Sequence, residues 1–459
     1  MLKKTYGFLK YWNWVVSLFF LVTSQLSLGQ TTPPDSLPSK VTISQCISYA
    51  LANQSLIKQS LIDEDITKRN IRISLSGWYP QLEVDANVQH FLQNPTAYYP
   101  DLSKPAPYTP FVPFPSGTNY SSSGVFSATQ TLYSSNLVFA AKTSKELRNQ
   151  ASESTENSKI NTCVDVTKAF FDVLLTEEQL HVLDEDILRL QRNYKDAYNL
   201  YKDGLTDNID YQRAEIALTN VQAQRKSAEE AIKAKYSVLK QLMGVVPEKQ
   251  LTVLYDSSKY ENDIIMDTAI NLDYNSRIEY KLLQTALNIQ GTQISYYKWL
   301  FLPTLSAFYD YDPLYQSNQF SDLYKSNNPS SLFGLKFTLP LFQGMNRQEN
   351  LSKAKLQYQR LQLGMDYLKS QINSEYVKAL SSYISNLNEL RVAKNNIILA
   401  KNIFSTVKFQ YDKGIKAYLE VIVSETDLRS AELNYLNILF QVLTSKMDLE
   451  KALGIIQIN

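Results

Sequence analysis

The feature that most constrains the fold is a pattern of apolar residues that occurs twice in the chain, 210 positions apart. In each copy the apolar positions recur every seven residues. The matching positions are Val166, Val173, Leu180, Ile187, Tyr194 and Tyr201 in the first copy, and Tyr376, Tyr383, Leu390, Ile397, Phe404 and Tyr411 in the second. Glycines follow the same offset at Gly204 and Gly414, and again at Gly244 and Gly454. A fixed offset held over this length indicates one structural unit repeated within the chain.

The spacing of seven also predicts the kind of helix. Further apolar residues lie between these positions, so the first copy alternates steps of three and four residues. Its seam consists of Leu180, Leu183, Ile187, Leu190, Tyr194, Ala197 and Tyr201. This alternation is the seam of a left-handed coiled coil. A glycine-containing turn and a second apolar arm follow in each copy, which favours two antiparallel helical hairpins.

Between the helical patterns, apolar and polar residues alternate strictly. The alternation covers about 81–92 and 123–134 in the first copy, and about 304–312 and 331–342 in the second. It predicts strands with one apolar and one polar face, long enough to cross a bilayer with the apolar face towards lipid. The lipid-facing residues of the last strand would be Phe333, Leu335, Phe337, Leu339 and Leu341.

These patterns divide the chain into four parts. Lysines, an apolar core and small residues in 1–29 predict a secretory signal peptide. The alternative is a membrane anchor, but the apolar core is shorter than the roughly 20 residues that a spanning helix needs. Residues 30–41 would form an extended, proline-containing leader. The remaining boundaries are 42–254 for the first repeat, with long helices over about 137–203 and 208–243, and 255–459 for the second, with long helices over about 345–412 and 419–454.

A shorter helix is predicted at the start of each repeat. In the first repeat it would run over about 42–77 with an interruption near Asn53. In the second repeat it would span about 267–300. Its Asn275-Ser276 pair would correspond to the Gln54-Ser55 pair of the first repeat.

The composition argues against several classes of function. Formal net charge is +1 over 459 residues, which does not favour nucleic acid as a partner. The sequence lacks a glycine-rich phosphate loop, a metal-binding spacing of cysteines and a catalytic triad pattern, so no enzyme, cofactor or metal is predicted. Cys46 and Cys163 could pair in an oxidising compartment, but two separated cysteines are more often small buried side chains.

Neither half of the chain can bury its apolar surfaces alone. Four strands cannot close a barrel, and open strand edges in hydrocarbon leave backbone groups without hydrogen bonds. A closed ring of identical subunits would cover both the strand edges and the helix seams. The alternative is a periplasmic coiled-coil scaffold that conducts nothing and whose strands form a small cap.

This organisation resembles the TolC family of outer-membrane efflux and secretion channels. The resemblance spans 42–454 and rests on the duplicated helix-strand-strand-helix order and on the tip segments 201–210 and 411–420. It implies a mainly α chain with a small β part, in which coiled-coil hairpins and four transmembrane strands build a trimeric α/β barrel. It also implies a homotrimeric exit duct in the outer membrane, with a helical tunnel in the periplasm, a periplasmic adaptor (membrane fusion) protein and an inner-membrane pump, in efflux or type I secretion.

The resemblance further implies a gate at the tips. The family closes its tunnel with an acidic ring that matches Glu420, whereas its second acidic position falls on Val423, where we expect an apolar collar. Its restraining contacts match Asp210, Tyr411 and Lys416, and lysine in place of the family's arginine gives a point-charge contact. Converging carboxylates repel, so higher pH should favour opening. Alternatively, Asp210 and Glu420 are first-turn acids that stabilise helix N-termini.

The adaptor would dock on the two tips. The residues implied by the resemblance are Gly204, Leu205, Gly414 and Ile415. Both glycines are expected to adopt positive φ, because the turns are tight. The sequence predicts neither the cargo nor which adaptor and pump are used, since selectivity in the family lies mostly with the pump.

Overall fold

The computed structural model describes residues 37–101, 103, 107, 110–254, 264–267 and 270–458. The predicted signal peptide and most of the predicted leader lie outside the described residues. The described chain is mainly helical. Its helices are α1 (Ile43–Asn53), α2 (Ser55–Leu75), α3 (Ser135–Lys202), α4 (Asn208–Met243), α5 (Ile278–Trp299), α6 (Asn346–Asp412) and α7 (Tyr418–Leu453).

The strands form three small groups. They are β1 (Lys40–Val41), β2 (Gln81–His90), β3 (Thr96–Pro100), β4 (Phe111–Pro115), β5 (Tyr120–Tyr133), β6 (Thr252–Val253), β7 (Thr304–Ser317) and β8 (Asn327–Thr338). β1 pairs with β6 in parallel, and β3 pairs with β4 as a separate ribbon. The main sheet is antiparallel in the order β2-β5-β7-β8. Among the described residues, β2 and β8 therefore have a partner on one side only.

The register of the main sheet separates an apolar face from a polar face. One row across the four strands consists of Leu82, Ala128, Tyr309 and Phe333. The next row, on the opposite face, consists of Glu83, Ser127, Asp310 and Leu332. Phe333, Leu335 and Phe337 share the apolar face of β8, and all three are exposed. The sheet thus presents aromatic and aliphatic side chains on one side and mainly polar ones on the other.

The last strand ends earlier than the alternation predicts. β8 stops at Thr338, so Leu339 and Leu341 follow the strand and do not belong to it. Pro340 has no N–H and cannot continue the ladder. Its carbonyl instead accepts a hydrogen bond from Arg347 Nη2 at 2.6 Å. The alternation of leucines therefore continues past the point where backbone pairing ends.

The helix that opens the second repeat begins later than predicted. α5 starts at Ile278, and only a short 3₁₀ turn, Tyr274–Ser276, precedes it. The Asp273 side chain accepts a hydrogen bond from the Asn275 N–H at 3.0 Å and so stabilises this turn. Arg277 has an extended backbone, with φ −80° and ψ 127°, and separates the turn from the helix.

This interruption also corrects the alignment of the two repeats. Gln54 has the same extended backbone immediately before α2 as Arg277 has before α5. A Cβ on Gly244 would meet the Asn53 carbonyl, and one on Gly454 would meet that of Ser276. Gln54 therefore corresponds to Arg277, two positions later than the sequence pattern indicates.

The helices form one layer whose order changes along its length. Near the sheet, α2 packs on α3, α3 on α5 and α5 on α6. Further away, α4 packs on α3, α3 on α7 and α7 on α6. α3 has 68 residues, a length of about 100 Å. α3 and α6 therefore run through both parts of the layer, and the other helices each occupy one part.

A helical tip as the candidate functional site

The two turns farthest from the sheet have the same geometry. Gly204 has φ +71° and Gly414 has φ +72°, which confirms the expected positive φ. The Leu205 N–H donates to the Leu200 carbonyl, and the Ile415 N–H donates to the Gln410 carbonyl, both at 2.9 Å. These bonds satisfy carbonyls at the ends of α3 and α6, as in a Schellman motif. The turns place Leu205 and Ile415, each about 70% exposed, at the end of the molecule.

All four helices contribute to a core directly behind these turns. Its buried residues are Ala197 of α3, Ala214 of α4, and Tyr418 and Val421 of α7. Partly buried side chains surround them: Tyr194, Tyr211, Phe404, Val407, Tyr411 and Ile422. Small alanines on two adjacent helices allow the helix axes to approach closely. We call these residues the tip core, which joins the first hairpin to the second.

The residues implied as a gate fall into two groups beside the tip core. Lys416 Nζ lies 2.5 Å from Glu420 Oε2, and both side chains are partly exposed. Val423, one turn further along α7, is 51% exposed. Glu420 and Val423 thus lie on the exposed side of α7, and the ammonium group of Lys416 forms an ion pair with the Glu420 carboxylate.

Asp210 and Tyr411 form the other group. Burial raises the pKa of Asp210, and the charge of Asp207 adds to this effect. Burial also raises the pKa of Tyr411, and the Asp210 carboxylate contributes second. The Tyr411 ring contacts that of Tyr418, with centroids 5.5 Å apart. The structure thus brings Asp210 close to Tyr411, whereas Lys416, in the turn before α7, pairs with Glu420 in the first turn of that helix. Their role as a gate stays a prediction.

A buried ion network that the sequence analysis missed lies about two turns above the tip core. Asp186 accepts hydrogen bonds from Arg429 Nη1 at 2.8 Å and from Arg189 Nη2 at 2.9 Å. Arg189 Nε also lies 3.4 Å from Glu425 Oε1, and Asn193 Nδ2 donates to Glu425 Oε2 at 2.9 Å. The Asp186 and Glu425 side chains are 0% and 1% exposed. The network contains two carboxylates and two guanidiniums, so its formal charges balance.

The environment of Glu425 favours its protonated form. Burial raises its pKa to about 7, and the neighbouring Asp186 carboxylate adds to the rise. Arg189 and the Asn193 hydrogen bond act in the opposite direction but are weaker. The only sequence signal for this network is that Asp186 and Asn193 repeat at a spacing of seven beside the Leu183–Leu190 seam.

The described residues contain neither a membrane-spanning helix nor a cluster suited to a metal ion. No described helix combines the length and apolar character that a membrane span requires. Within the same residues, no group of three or more histidine, cysteine or acidic side chains has a geometry suited to a metal ion. Cys46 and Cys163 are both free and buried.

Comparison with known proteins identifies the family. The model of the family described as outer membrane efflux protein matches residues 46–245 and 291–455. The outer membrane protein TolC of Vibrio cholerae is 21% identical over 334 residues, covering 71% of this chain and 75% of that protein. The solvent efflux pump outer membrane protein SrpC of Pseudomonas putida is 22% identical over 259 residues, covering 55% of this chain and 53% of that protein.

Solved structures show the same fold. CusC matches with a TM-score of 0.74 and 17% identity, covering 90% of this chain and 92% of that one. VceC of Vibrio cholerae matches with a TM-score of 0.69 and 14% identity, covering 90% and 96%. The open-state MtrE channel of Neisseria gonorrhoeae gives 0.68 and 18%, covering 90% and 88%. Since the family model matches well over half of its residues, this chain belongs to the outer membrane efflux protein family.

Proposed function

We propose that this chain is the outer-membrane exit duct of a tripartite efflux or secretion system, and that it works as a homotrimer with a periplasmic adaptor and an inner-membrane pump. The duct is passive, and its partners supply the energy. Cargo would enter at the helical tips, pass along the tunnel enclosed by the helical layers of the subunits, and leave past the polar face of the strands.

The observation that carries this proposal is that both edges of the chain are open and apolar. At one edge lie β2, with all ten residues exposed, and α2. At the other lie β8, whose outer side has no described strand partner, and α6. On α2, Ile62, Ile66 and Ile73 are each at least 50% exposed. Copies joined edge to edge would pair β8 with β2 and continue the helical layer.

The second edge carries a long apolar stripe. Its exposed residues on α6 are Leu356, Leu363, Tyr367, Val377, Ile384, Val392, Ile398, Leu399 and Ile403. Several lie seven residues apart, which is the spacing of a helix that packs against a parallel or antiparallel neighbour. A monomer in water would leave this stripe uncovered, which is unusual for a soluble protein.

The assembly can be tested on purified protein in detergent. We expect the mass of three chains from light scattering, and discrete current steps after addition to planar lipid bilayers. The alternative, a periplasmic coiled-coil scaffold, needs no apolar face on its strands and would leave the membrane pellet on carbonate washing. A stable monomer that stays in solution without detergent would contradict the proposed function.

A further inference from the structure

The hairpin that joins β2 to β5 continues past the main sheet as a smaller ladder of its own, in which β3 pairs antiparallel with β4. We call the segments 95–101 and 110–116 the aromatic ribbon. Because β2 starts beside the helices and leads away from them, the ribbon lies at the opposite end of the sheet. β2 already has ten residues, the length of a strand that crosses a bilayer. In the outer membrane the ribbon therefore lies beyond the hydrocarbon layer, in water.

Asn119 holds the base of the ribbon on the end of the main sheet. Its carbonyl accepts a hydrogen bond from the Phe91 N–H at 2.8 Å, and its Oδ1 accepts one from Asn94 Nδ2 at 2.8 Å. Its N–H donates to Oδ1 of Asn318, directly after β7, at 3.2 Å. The ribbon therefore starts from a position that both repeats of the chain fix.

Prolines occupy the positions where β4 would otherwise present N–H groups at its outer edge. The Ser116 N–H donates to the Pro95 carbonyl at 2.8 Å, so these two residues form a hydrogen-bonded pair. Hydrogen-bonded and non-hydrogen-bonded pairs alternate along an antiparallel ladder, and the register places Pro113 and Pro115 in non-hydrogen-bonded pairs. An N–H at these positions would point outwards, and proline has none. A further strand therefore cannot extend the ladder on this side.

Both faces of the ribbon are apolar and exposed. Residues that are paired across the ladder share a face. One face consists of Tyr98, Pro100, Phe111 and Pro113, and the opposite face of Ala97, Tyr99, Val112 and Phe114. Nine of the ten strand residues are exposed, and only Ala97 is half-buried. Asp101 carries the only charge among the described residues of the ribbon.

The two opposed faces decide what kind of partner fits. A membrane surface or a flat protein surface would cover one face and leave the other in water, which is unfavourable for an apolar face of this kind. The low charge also gives little attraction to lipid phosphates. Copies around a symmetry axis differ, because each ribbon then has a neighbour on both sides. The ribbon moreover extends from β2, the strand that the proposed assembly places beside the next copy.

We propose that the aromatic ribbons of three copies pack on one another above the outer end of the barrel, each with one face against the opposite face of the next, and narrow the exit there. This inference rests on the proposed function, because it needs the trimer. An apolar constriction hinders the passage of water and ions. The ribbons must therefore separate when cargo leaves.

The first test joins the ribbons covalently. Tyr98→Cys with Phe114→Cys places thiols on opposite faces of one ribbon, where they point apart and cannot bond to each other. Cys46 and Cys163 are buried. Mild oxidation of the purified trimer should therefore give covalent trimers on a denaturing gel, because each ribbon bonds to both neighbours. Either single variant has one new thiol and should give no covalent trimer.

The outcomes separate this inference from the proposed function. If light scattering shows a trimer but oxidation gives no covalent trimer, the ribbons do not pack on one another and the inference alone fails. Bonding of the introduced thiols to a different protein in intact cells would show another occupant and would also overturn it. If the wild type is a monomer in detergent, both proposals fail.

The second test measures the constriction. Tyr99→Ser with Phe114→Ser makes one face polar, and the single-channel conductance should rise at least about twofold because the narrowing is apolar. Leu92→Ser is the control, since Leu92 lies between β2 and the ribbon and is 94% exposed. Its conductance should equal that of the wild type. Equal conductance in the double variant and the wild type would contradict a constriction made by the ribbons.

Discussion

Gly244 and Gly454, at the ends of α4 and α7, show how two single residues fix the middle of the molecule. Both have φ near +70°, a conformation that disfavours other residues. A Cβ on Gly454 would lie 2.7 Å from the Ser276 carbonyl oxygen, and one on Gly244 would lie 2.9 Å from that of Asn53. α4 therefore ends against the backbone of Asn53, just before α2, and α7 ends against the backbone of Ser276, just before α5.

Alanine at Gly454 should consequently destabilise the protein more than alanine at Gly414. Gly414 has the same φ, but no atom lies within 4 Å of a Cβ placed there. We expect Gly414→Ala to cost about 1 kcal/mol and Gly454→Ala about 2–4 kcal/mol, since only the second also displaces backbone. Urea midpoints of the two variants provide the comparison. Equal midpoints would contradict the close packing of Gly454.

Glu425 should make stability depend on pH. Its pKa in the folded chain is about 7, above the ordinary value of 4.5, so the folded state holds the proton more tightly. The resulting stabilisation is complete below about pH 4.5 and is lost as pH rises through about 7, on the order of a few kcal/mol per chain.

The melting temperature should therefore fall between pH 5 and pH 8, and Glu425→Gln should flatten this dependence. Asp427→Asn, at an exposed acid on the same helix, is the control and should keep it. An equally steep profile in Glu425→Gln would show that other groups cause the effect.

Glu420 should limit conduction if it contributes to a ring of acids. Its carboxylate is exposed apart from the contact with Lys416. Glu420→Ala removes the charge and does not make the channel opening narrower, so the single-channel conductance should rise by about a factor of two. Bilayer recordings of the variant and of Glu420→Asp, which keeps the charge, test this. Unchanged conductance in Glu420→Ala would exclude Glu420 from the gate.

Some residues of the tip could be predicted from the sequence, and others could not. Gly204 and Gly414 follow from turn chemistry, because a tight turn needs positive φ. Asp186 and Glu425 could not be predicted, since a charged residue beside an apolar seam normally faces solvent. Asp186 pairs with Arg429, which follows it by 243 residues in the chain. Only the three-dimensional structure therefore reveals that the charge is buried and paired.

At the scale of elements, the long helices are predicted best because their period persists over many turns. α3 and α6 span Ser135–Lys202 and Asn346–Asp412, close to the ranges that the periodicity indicates. The short elements differ more. β8 ends before Leu339 because proline stops the ladder, and α5 begins at Ile278 because Asp273 stabilises a competing turn. Local hydrogen bonding decides such boundaries, and a hydrophobic pattern does not report it.

The tip turns can be changed without disturbing the tip core behind them, and this can be measured. Nothing lies within 4 Å of a Cβ at Gly204 or Gly414, so a larger side chain there distorts the turn without displacing the core. Gly414→Val should weaken binding of the periplasmic adaptor in a pull-down at least about tenfold, because a β-branched residue disfavours positive φ. The trimer should persist. Full binding by Gly414→Val and by Gly204→Val would argue against docking on the tips.

At the scale of the whole molecule, the duplicated pattern predicts the family and the order of elements. The proposed edge-to-edge arrangement of copies is based on the sheet order β2-β5-β7-β8 and on the helix order, which the sequence does not contain. The repeats alone do not reveal which two strands are outermost. That assignment needs the register of β5 on β7, which joins the two repeats.

A charge on the outer face of α6 should disrupt the trimer and leave the chain folded. Ile403 is 53% exposed in the single chain, and burying an unpaired lysine in a subunit contact costs several kcal/mol. Ile403→Lys should therefore shift the mass in detergent from three chains towards one, with unchanged helical circular dichroism. A trimeric Ile403→Lys would exclude this face from the interface.

The outer sides of β2 and β8, which have no strand partner among the described residues, set an order of events during biogenesis. Water can solvate these backbone groups in the periplasm, but lipid tails cannot. A newly made chain that entered the bilayer alone would carry two unsatisfied strand edges with it. Partner chains must therefore meet before or during insertion, and the rate at which ducts appear should depend on how many free chains are waiting.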